Sequence, residues 1–167
     1  MRRRPILLGL APLLILASCS KKQAQESVSS LDRVDSRRLR PINFLHKTFP
    51  VKKYAQFAFE VPVHTAIPRL HGTFKSFVKR AGEDSISDDS ADIDFILMDP
   101  DQFADFSQGH RDGTAMYTVD PTHDHEVEFL LPPTPAEPAK YYVVFRNSPG
   151  GAALKYVEAD FSLTFGY

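Results

Sequence analysis

Beyond Pro41 apolar and polar residues alternate with a period of two, the pattern of strands that place one face on a core and the other in water. Phe57, Phe59 and Val61 alternate with Ala58 and Glu60, and Ile93, Phe95 and Leu97 alternate with Asp92, Asp94 and Ile96. Ala115, Tyr117 and Val119, then Val127, Phe129 and Leu131, predict two more strands. The clearest is the last, where Val157, Ala159, Phe161, Leu163 and Phe165 take one side and Glu158, Asp160, Ser162 and Thr164 the other. Between Leu70 and Val78 two registers compete, one through Leu70, Gly72 and Phe74 and one through Phe77. The strand from Lys140 to Arg146 is apolar on both faces, which is expected of a central strand. One short helix is expected over residues 101–107, opening at Asp99, with Phe103 and Phe106 three apart on one face. Pro, Gly and Asp turns separate seven or eight strands with no long helical pattern between them. The expected fold is therefore an all-β antiparallel sandwich, of which the jelly roll is one version.

The N-terminal segment follows another pattern. Arg2, Arg3 and Arg4 precede thirteen uncharged residues, 5–17, as in the positive and apolar regions of an export signal. As a helix those residues would span roughly 20 Å, short of the ~30 Å hydrocarbon core of a bilayer. Leu16-Ala17-Ser18-Cys19 closes the segment and resembles the bacterial lipobox: an aliphatic residue, two small residues and the cysteine. That resemblance implies cleavage between Ser18 and Cys19 and lipidation of the Cys19 thiol, with acyl chains that hold the protein on a membrane. Ser20 follows the cysteine, where Asp is the usual inner-membrane retention signal, so the expected address is the cell envelope at the outer membrane. Residues 1–18 are thus read as signal peptide, 19–47 as lipidated N-terminus and flexible tether, and 48–167 as the sandwich. The tether is polar and mixed in charge, with too little apolar surface to offset the entropy of ordering it. Its basic cluster, Arg37, Arg38 and Arg40, is read as solvated.

Composition agrees and narrows the partners. The chain carries 13 Pro, 13 Phe and 6 Tyr against 8 Gly and no Trp, a bias toward short extended segments broken by turns. Its formal charge of −1 becomes −4 once the three arginines of residues 1–18 are removed, which argues against nucleic acid as a partner. With 1 Cys no internal disulfide forms, so stability must come from packing.

The run ADIDFILMDPDQFADFSQG, then EVEFLLPP, then KYYVVFRNSPGGAALKYVEADFSLTF resembles the GOLD-type β-sandwich of Golgi cargo adaptors and related sandwiches on bacterial and archaeal surface proteins. The similarity spans residues 56–165. It departs from the pattern at residues 132–139, PPTPAEPA, and at the long acidic loop 82–92. The resemblance implies a non-catalytic interaction or cargo-type module. A rival resemblance lies in the tail Phe161-x-Leu163-x-Phe165-x-Tyr167, similar to the C-terminal signal of outer-membrane β-barrels; most strands here are shorter than the ~9–11 residues such a barrel needs.

Candidate chemistry is sparse. Glu83, Asp84, Asp88, Asp89, Asp92 and Asp94 offer oxygen ligands of the kind calcium takes, without EF-hand spacing, so a solvated acidic turn is the expectation. His123 and His125 stand two apart and on a strand would share a face, beginning a metal site, with Asp124 and Glu126 on the other face. His64, His71 and His110 have no readable geometry. No G-x-S-x-G, H-E-x-x-H or Walker loop occurs, and no catalytic residue or cofactor is expected. The Pro132-Pro133-Thr134-Pro135 segment with Pro138 is read as a rigid loop rather than a polyproline rung for a partner. The leading expectation is a membrane-anchored, non-catalytic sandwich that binds a protein, glycan or envelope component. A metal-dependent protein at the His123/His125 rim and a structural envelope subunit are the alternatives.

Overall fold

The computed structural model describes residues 40–79, 85–109, 115–147 and 153–166. Eight strands are formed, β1 (Ile42–Val51), β2 (Tyr54–Val61), β3 (Ile67–Val78), β4 (Ile93–Met98), β5 (Tyr117–Thr122), β6 (Asp124–Leu130), β7 (Ala139–Asn147) and β8 (Lys155–Gly166), with one helix, α1 (Pro100–Ser107). They make two four-stranded sheets, ordered β1-β8-β3-β6 and β2-β7-β4-β5, and every ladder is antiparallel. This is the jelly-roll order, in which the chain changes sheet at each connection except β4 to β5.

β1 begins at Ile42 and pairs with β8 along its length, with a bulge between Asn43 and Leu45. Residues 42–47, placed in the tether by their sequence, are therefore strand, and the domain boundary drawn at 48 moves to about residue 41. The misplacement has a physical cause. At an edge strand with a bulge, the apolar alternation that marks a strand is broken by Lys47, which faces the sandwich rim and lays its ammonium 4.5 Å from the Phe57 ring. Cys19 and the lipobox lie outside the described residues. Among the described residues no helix is long and apolar enough to cross a membrane.

The core lies between the sheets and is largely aromatic. Phe161 stacks on Phe95 at 5.4 Å, Phe95 stacks on Phe74 at 5.9 Å, and Phe145 meets both Phe95 and Phe74 edge-on. Phe161, Leu163 and Phe165, the tail that resembles a barrel signal, point into this core as alternate buried residues of β8. In β3 the register resolves in favour of Leu70, Gly72 and Phe74, which are buried with Ser76 and Val78, while Phe77 turns outward and stacks on Tyr156.

α1 explains why β7 is apolar on both faces. Asp99 caps the helix: its carboxylate accepts from the Gln102 N–H at 2.8 Å, and the Gln102 side chain accepts from the Asp99 N–H at 3.1 Å. Phe103 then stacks on Tyr142 at 4.2 Å, and Phe106 meets Tyr54 at 5.2 Å, over a small second cluster of Ile96, Met98 and Val144. α1 thus shields part of the outer face of the β2-β7-β4-β5 sheet. The proline loop is tied down as expected of a rigid connection: Thr134 bridges Thr65, and the ring of His64, at φ 63°, has Nδ1 2.9 Å from the Pro135 carbonyl.

Candidate functional site

Strand register gathers the end of β3, the start of β4, the β5–β6 turn and the start of β8 at one end of the sandwich, opposite the end where the chain enters β1. Ser76 organises that end. It is fully buried on the inward row of β3; its N–H donates to the His123 carbonyl at 2.8 Å and its hydroxyl to the Ala91 carbonyl at 2.7 Å. Its own carbonyl accepts from the Ser87 hydroxyl at 2.8 Å. One residue, through its backbone N–H on one side and its hydroxyl on the other, therefore clamps the segment before β4 to the turn between β5 and β6.

The clamp places His123 Nδ1 3.0 Å from Asp92 Oδ1, with both side chains partly buried. Asp89, on a 3-10 turn (Asp89–Ala91) capped by Asp88, joins them, and the donor atoms of Asp89, Asp92 and His123 all lie within 4.8 Å of one another. The structure thus combines one of the two histidines with two of the six acidic residues that the sequence offered. His125 does not complete this donor set; it lies on β6 with its ring 6.2 Å from that of Phe74. The alternation that would align the two imidazoles ends at His123, which stands between β5 and β6 rather than within a strand. Asp88 is engaged in capping, its carboxylate accepting from the Ser90 N–H at 2.9 Å. Asp84 and His110 lie outside the described residues. His71 faces outward on β3, away from this end.

Behind the cluster sits Lys155, only 5% exposed on the inward row of β8, its ammonium donating to the Asp92 carbonyl. Asp94 is buried nearby and pairs with Arg146, whose Nε lies 2.6 Å from Oδ2. Burial lowers the Lys155 pKa below its ordinary value, and the charges of Asp92 and Asp94 partly oppose that shift. The unfolded chain then holds this proton to higher pH than the folded one, so stability rises with pH between the folded value and the ordinary lysine value. Below that window the charged ammonium is buried at its full cost. Burial, followed by Asp99, raises the Tyr141 pKa, which acts in the opposite sense: stability falls as pH climbs past the ordinary tyrosine value. Lys155→Met is expected to leave the thermal midpoint at pH 7 equal or higher and to flatten its rise toward alkaline pH. A variant whose midpoint still climbs as the wild type's does would assign that rise to another group.

The second feature is the outer face of the β1-β8-β3-β6 sheet, which α1 does not cover. Register lines its side chains into rows across the strands: Thr48, Glu158, Lys75 and Asp124, then His46, Asp160, Thr73 and Glu126, then Asn43, Ser162, His71 and Glu128. Asp160 is held from two sides, by Asn43 Nδ2 at 2.6 Å and His46 Nδ1 at 2.9 Å. Lys75 pairs with Asp124 at 3.7 Å and Arg69 with Glu128 at 3.1 Å. The first row, together with His46, Asp160 and Thr73 of the second, lines an open depression of about 650 Å³. At its rim Tyr156 stacks on Phe77 at 5.7 Å, with the Lys79 ammonium 4.6 Å from the Tyr156 ring. The alternation of β8 marks Glu158 and Asp160 as outward. The sequence does not show which strands flank them, so it does not reveal that these residues form one surface.

No family model matches the chain, and no curated protein matches it. Among solved structures it is similar to TmCBM61, determined in complex with beta-1,4-galactotriose, at 13% identity over 79% of this chain and 85% of that one, with a TM-score of 0.43. It is also similar to PliG of Aeromonas hydrophila, a periplasmic lysozyme inhibitor of g-type lysozyme, at 15% identity over 78% of this chain and 90% of that one, with a TM-score of 0.39. At these scores the functional reading rests on the chain's own residues.

Proposed function

We propose that this chain is a lipid-anchored envelope protein whose jelly roll is a non-catalytic binding module, and that the open face of the β1-β8-β3-β6 sheet takes a glycan. One observation carries the reading: this face holds a depression of about 650 Å³ in which His46, Lys47, Thr48, Thr73, Lys75, Asp124, Glu158 and Asp160 surround Phe74 and Ala159, so that polar side chains, most of them set in cross-strand rows, frame a small apolar floor. Protein–protein interface cores are depleted in Lys, Glu, Asp and Ser, so the composition favours a hydroxyl-rich ligand over a protein surface. Asp160, pinned by Asn43 and His46, is a preorganised acceptor for sugar hydroxyls. The Tyr156–Phe77 pair at the rim offers an aromatic face for a pyranose ring. Five carboxylates, Asp124, Glu126, Glu128, Glu158 and Asp160, outnumber Lys75 and Arg69 with Lys47 and Lys79 at the margin, so a neutral or amino-bearing glycan fits better than an anionic one. The GOLD-type resemblance of residues 56–165 accords with a module that binds without catalysis.

The ligand class is tested with the full chain on an array of neutral, amino-bearing and anionic oligosaccharides. Binding to a neutral or amino-bearing member, lost in Asp160→Ala and kept in His123→Ala, is the expected result. Binding to none of them, or binding indifferent to Asp160→Ala, would remove the glycan reading. For the anchor, cells given a labelled fatty acid are expected to label the wild-type chain and not Cys19→Ser; equal labelling of the two would refute lipidation at Cys19.

A further inference from the structure

We infer that Asp89, Asp92 and His123 form a binding site for a divalent first-row transition ion of the zinc class. The site is separate from the sheet face assigned to the glycan and does not depend on that assignment. Three observations support it. The first is the donor set. Two carboxylates and an imidazole with their ligand atoms within 4.8 Å of one another can close on a single ion with bonds of about 2.0–2.2 Å, and the imidazole selects zinc-like ions over calcium, which takes six to eight oxygens. The imidazole reaches Asp92 across 31 residues of chain, so this is not a local acidic turn.

The second observation is that the ligands are held from behind. Ser76 donates its N–H to the His123 carbonyl and its hydroxyl to the Ala91 carbonyl, next to Asp92, while Lys155 donates to the Asp92 carbonyl itself. These bonds fix both ligand-bearing segments without using a single ligand atom, the arrangement that orients metal ligands in established sites. The third is charge. Asp94 pairs with Arg146, and the Lys155 ammonium lies against the Asp92 backbone from behind. Asp89 and Asp92 thus present two carboxylates beside one imidazole, a donor set whose charge a divalent cation would compensate. On binding, Nδ1 of His123 presents its lone pair to the ion with the ring proton on Nε2, and the Nδ1 to Asp92 contact becomes a ligand-to-ligand edge. The ion would cross-link the segment before β4 to the β5–β6 turn and leave its remaining positions to water.

The test uses the full chain in detergent, made without a polyhistidine tag, with zinc titrated against a chromophoric chelator. One bound zinc is expected, with a thermal midpoint that rises with zinc and not with calcium. His123→Ala and the exposed-site variant Asp89→Asn should each weaken zinc by at least about tenfold while leaving the midpoint in chelator close to wild type. Ser76→Ala, a positioning change, should weaken zinc about tenfold or more although every ligand remains. Zinc affinity unchanged in His123→Ala and Asp89→Asn, or a midpoint indifferent to zinc, would overturn the site. A calcium response that survives His123→Ala would overturn its assignment to a transition ion. Loss of glycan binding alone would leave this result untouched.

Discussion

Gly72→Val is expected to lower folding stability by about 3 kcal/mol or more, seen as a fall in the denaturant midpoint at unchanged slope. Gly72 sits on the inward row of β3 between Leu70 and Phe74, and the ring of Phe161 on β8 occupies the space where a side chain would stand. A Cβ built there would lie 2.4 Å from the Asp160 carbonyl oxygen and 2.4 Å from Cδ1 of Phe161. The first contact is with backbone in the middle of the β3–β8 ladder, so no rotamer change relieves it. Even Gly72→Ala meets both contacts. For a domain stable by ~5–15 kcal/mol, such a loss is a large share of the total. A valine variant within about 0.5 kcal/mol of wild type would mean that the ring is not seated over this position.

The second large effect is the converse one. Phe161→Ala should cost about 3–5 kcal/mol, because it removes a fully buried ring that stacks on Phe95 and also meets Phe145 and Phe44. The hollow cannot collapse easily, since Phe95 and Phe145 are held in turn by Phe74. Combining the substitutions checks the geometry more sharply than either alone. With the ring gone, Gly72→Ala retains its clash with the Asp160 carbonyl and loses the clash with Phe161, so the pair should cost about 1 kcal/mol less than the sum of the singles. Strict additivity would contradict a shared space.

This notch also marks how far the fold could be read from the residues. Alternation along β8 gives both of its faces from Val157 to Phe165 but not the buried Lys155 at its start, and the helix is legible because Asp99, Pro100 and Gln102 form a capping sequence ahead of Phe103 and Phe106. In β3, by contrast, alternation gave two registers, since Gly72 is buried without being apolar and Phe77 is apolar without facing the core. Both exceptions come from a neighbouring strand: Phe161 claims the space at Gly72, and Tyr156 supplies a partner for Phe77 outside. β1 reads partly as tether because an edge strand with a bulge, and with the exposed Lys47 between Leu45 and Phe49, does not carry a full apolar row.

The candidate site divides in the same way. His123, Asp89 and Asp92 were each visible as ligand types, but their grouping depends on the pairing of Ile93 with Thr122 and on the Ser76 clamp, both long-range consequences of the jelly-roll order. His125 fell on the opposite side of that reasoning. Its spacing from His123 suggested a shared face, and the break between β5 and β6 separates their roles. The open polar face was the least legible feature, because its rows join β1, β8, β3 and β6, four strands scattered through the chain. Each side chain in it reads singly as an ordinary solvent-facing residue of a half-buried strand.

On the proposed reading this face, and not the outer face of the other sheet, meets the partner. That reading is tested most directly by placing the photo-crosslinker benzoylphenylalanine at single positions of the full chain in living cells. Thr48 and Thr73 lie on the proposed face, and Gln56 and Ala58 are exposed on the outer side of β2. A common glycan-bearing adduct is expected from Thr48 and Thr73 and none from Gln56 or Ala58. Equal adducts from both sheets, or adducts from Gln56 and Ala58 alone, would contradict that reading.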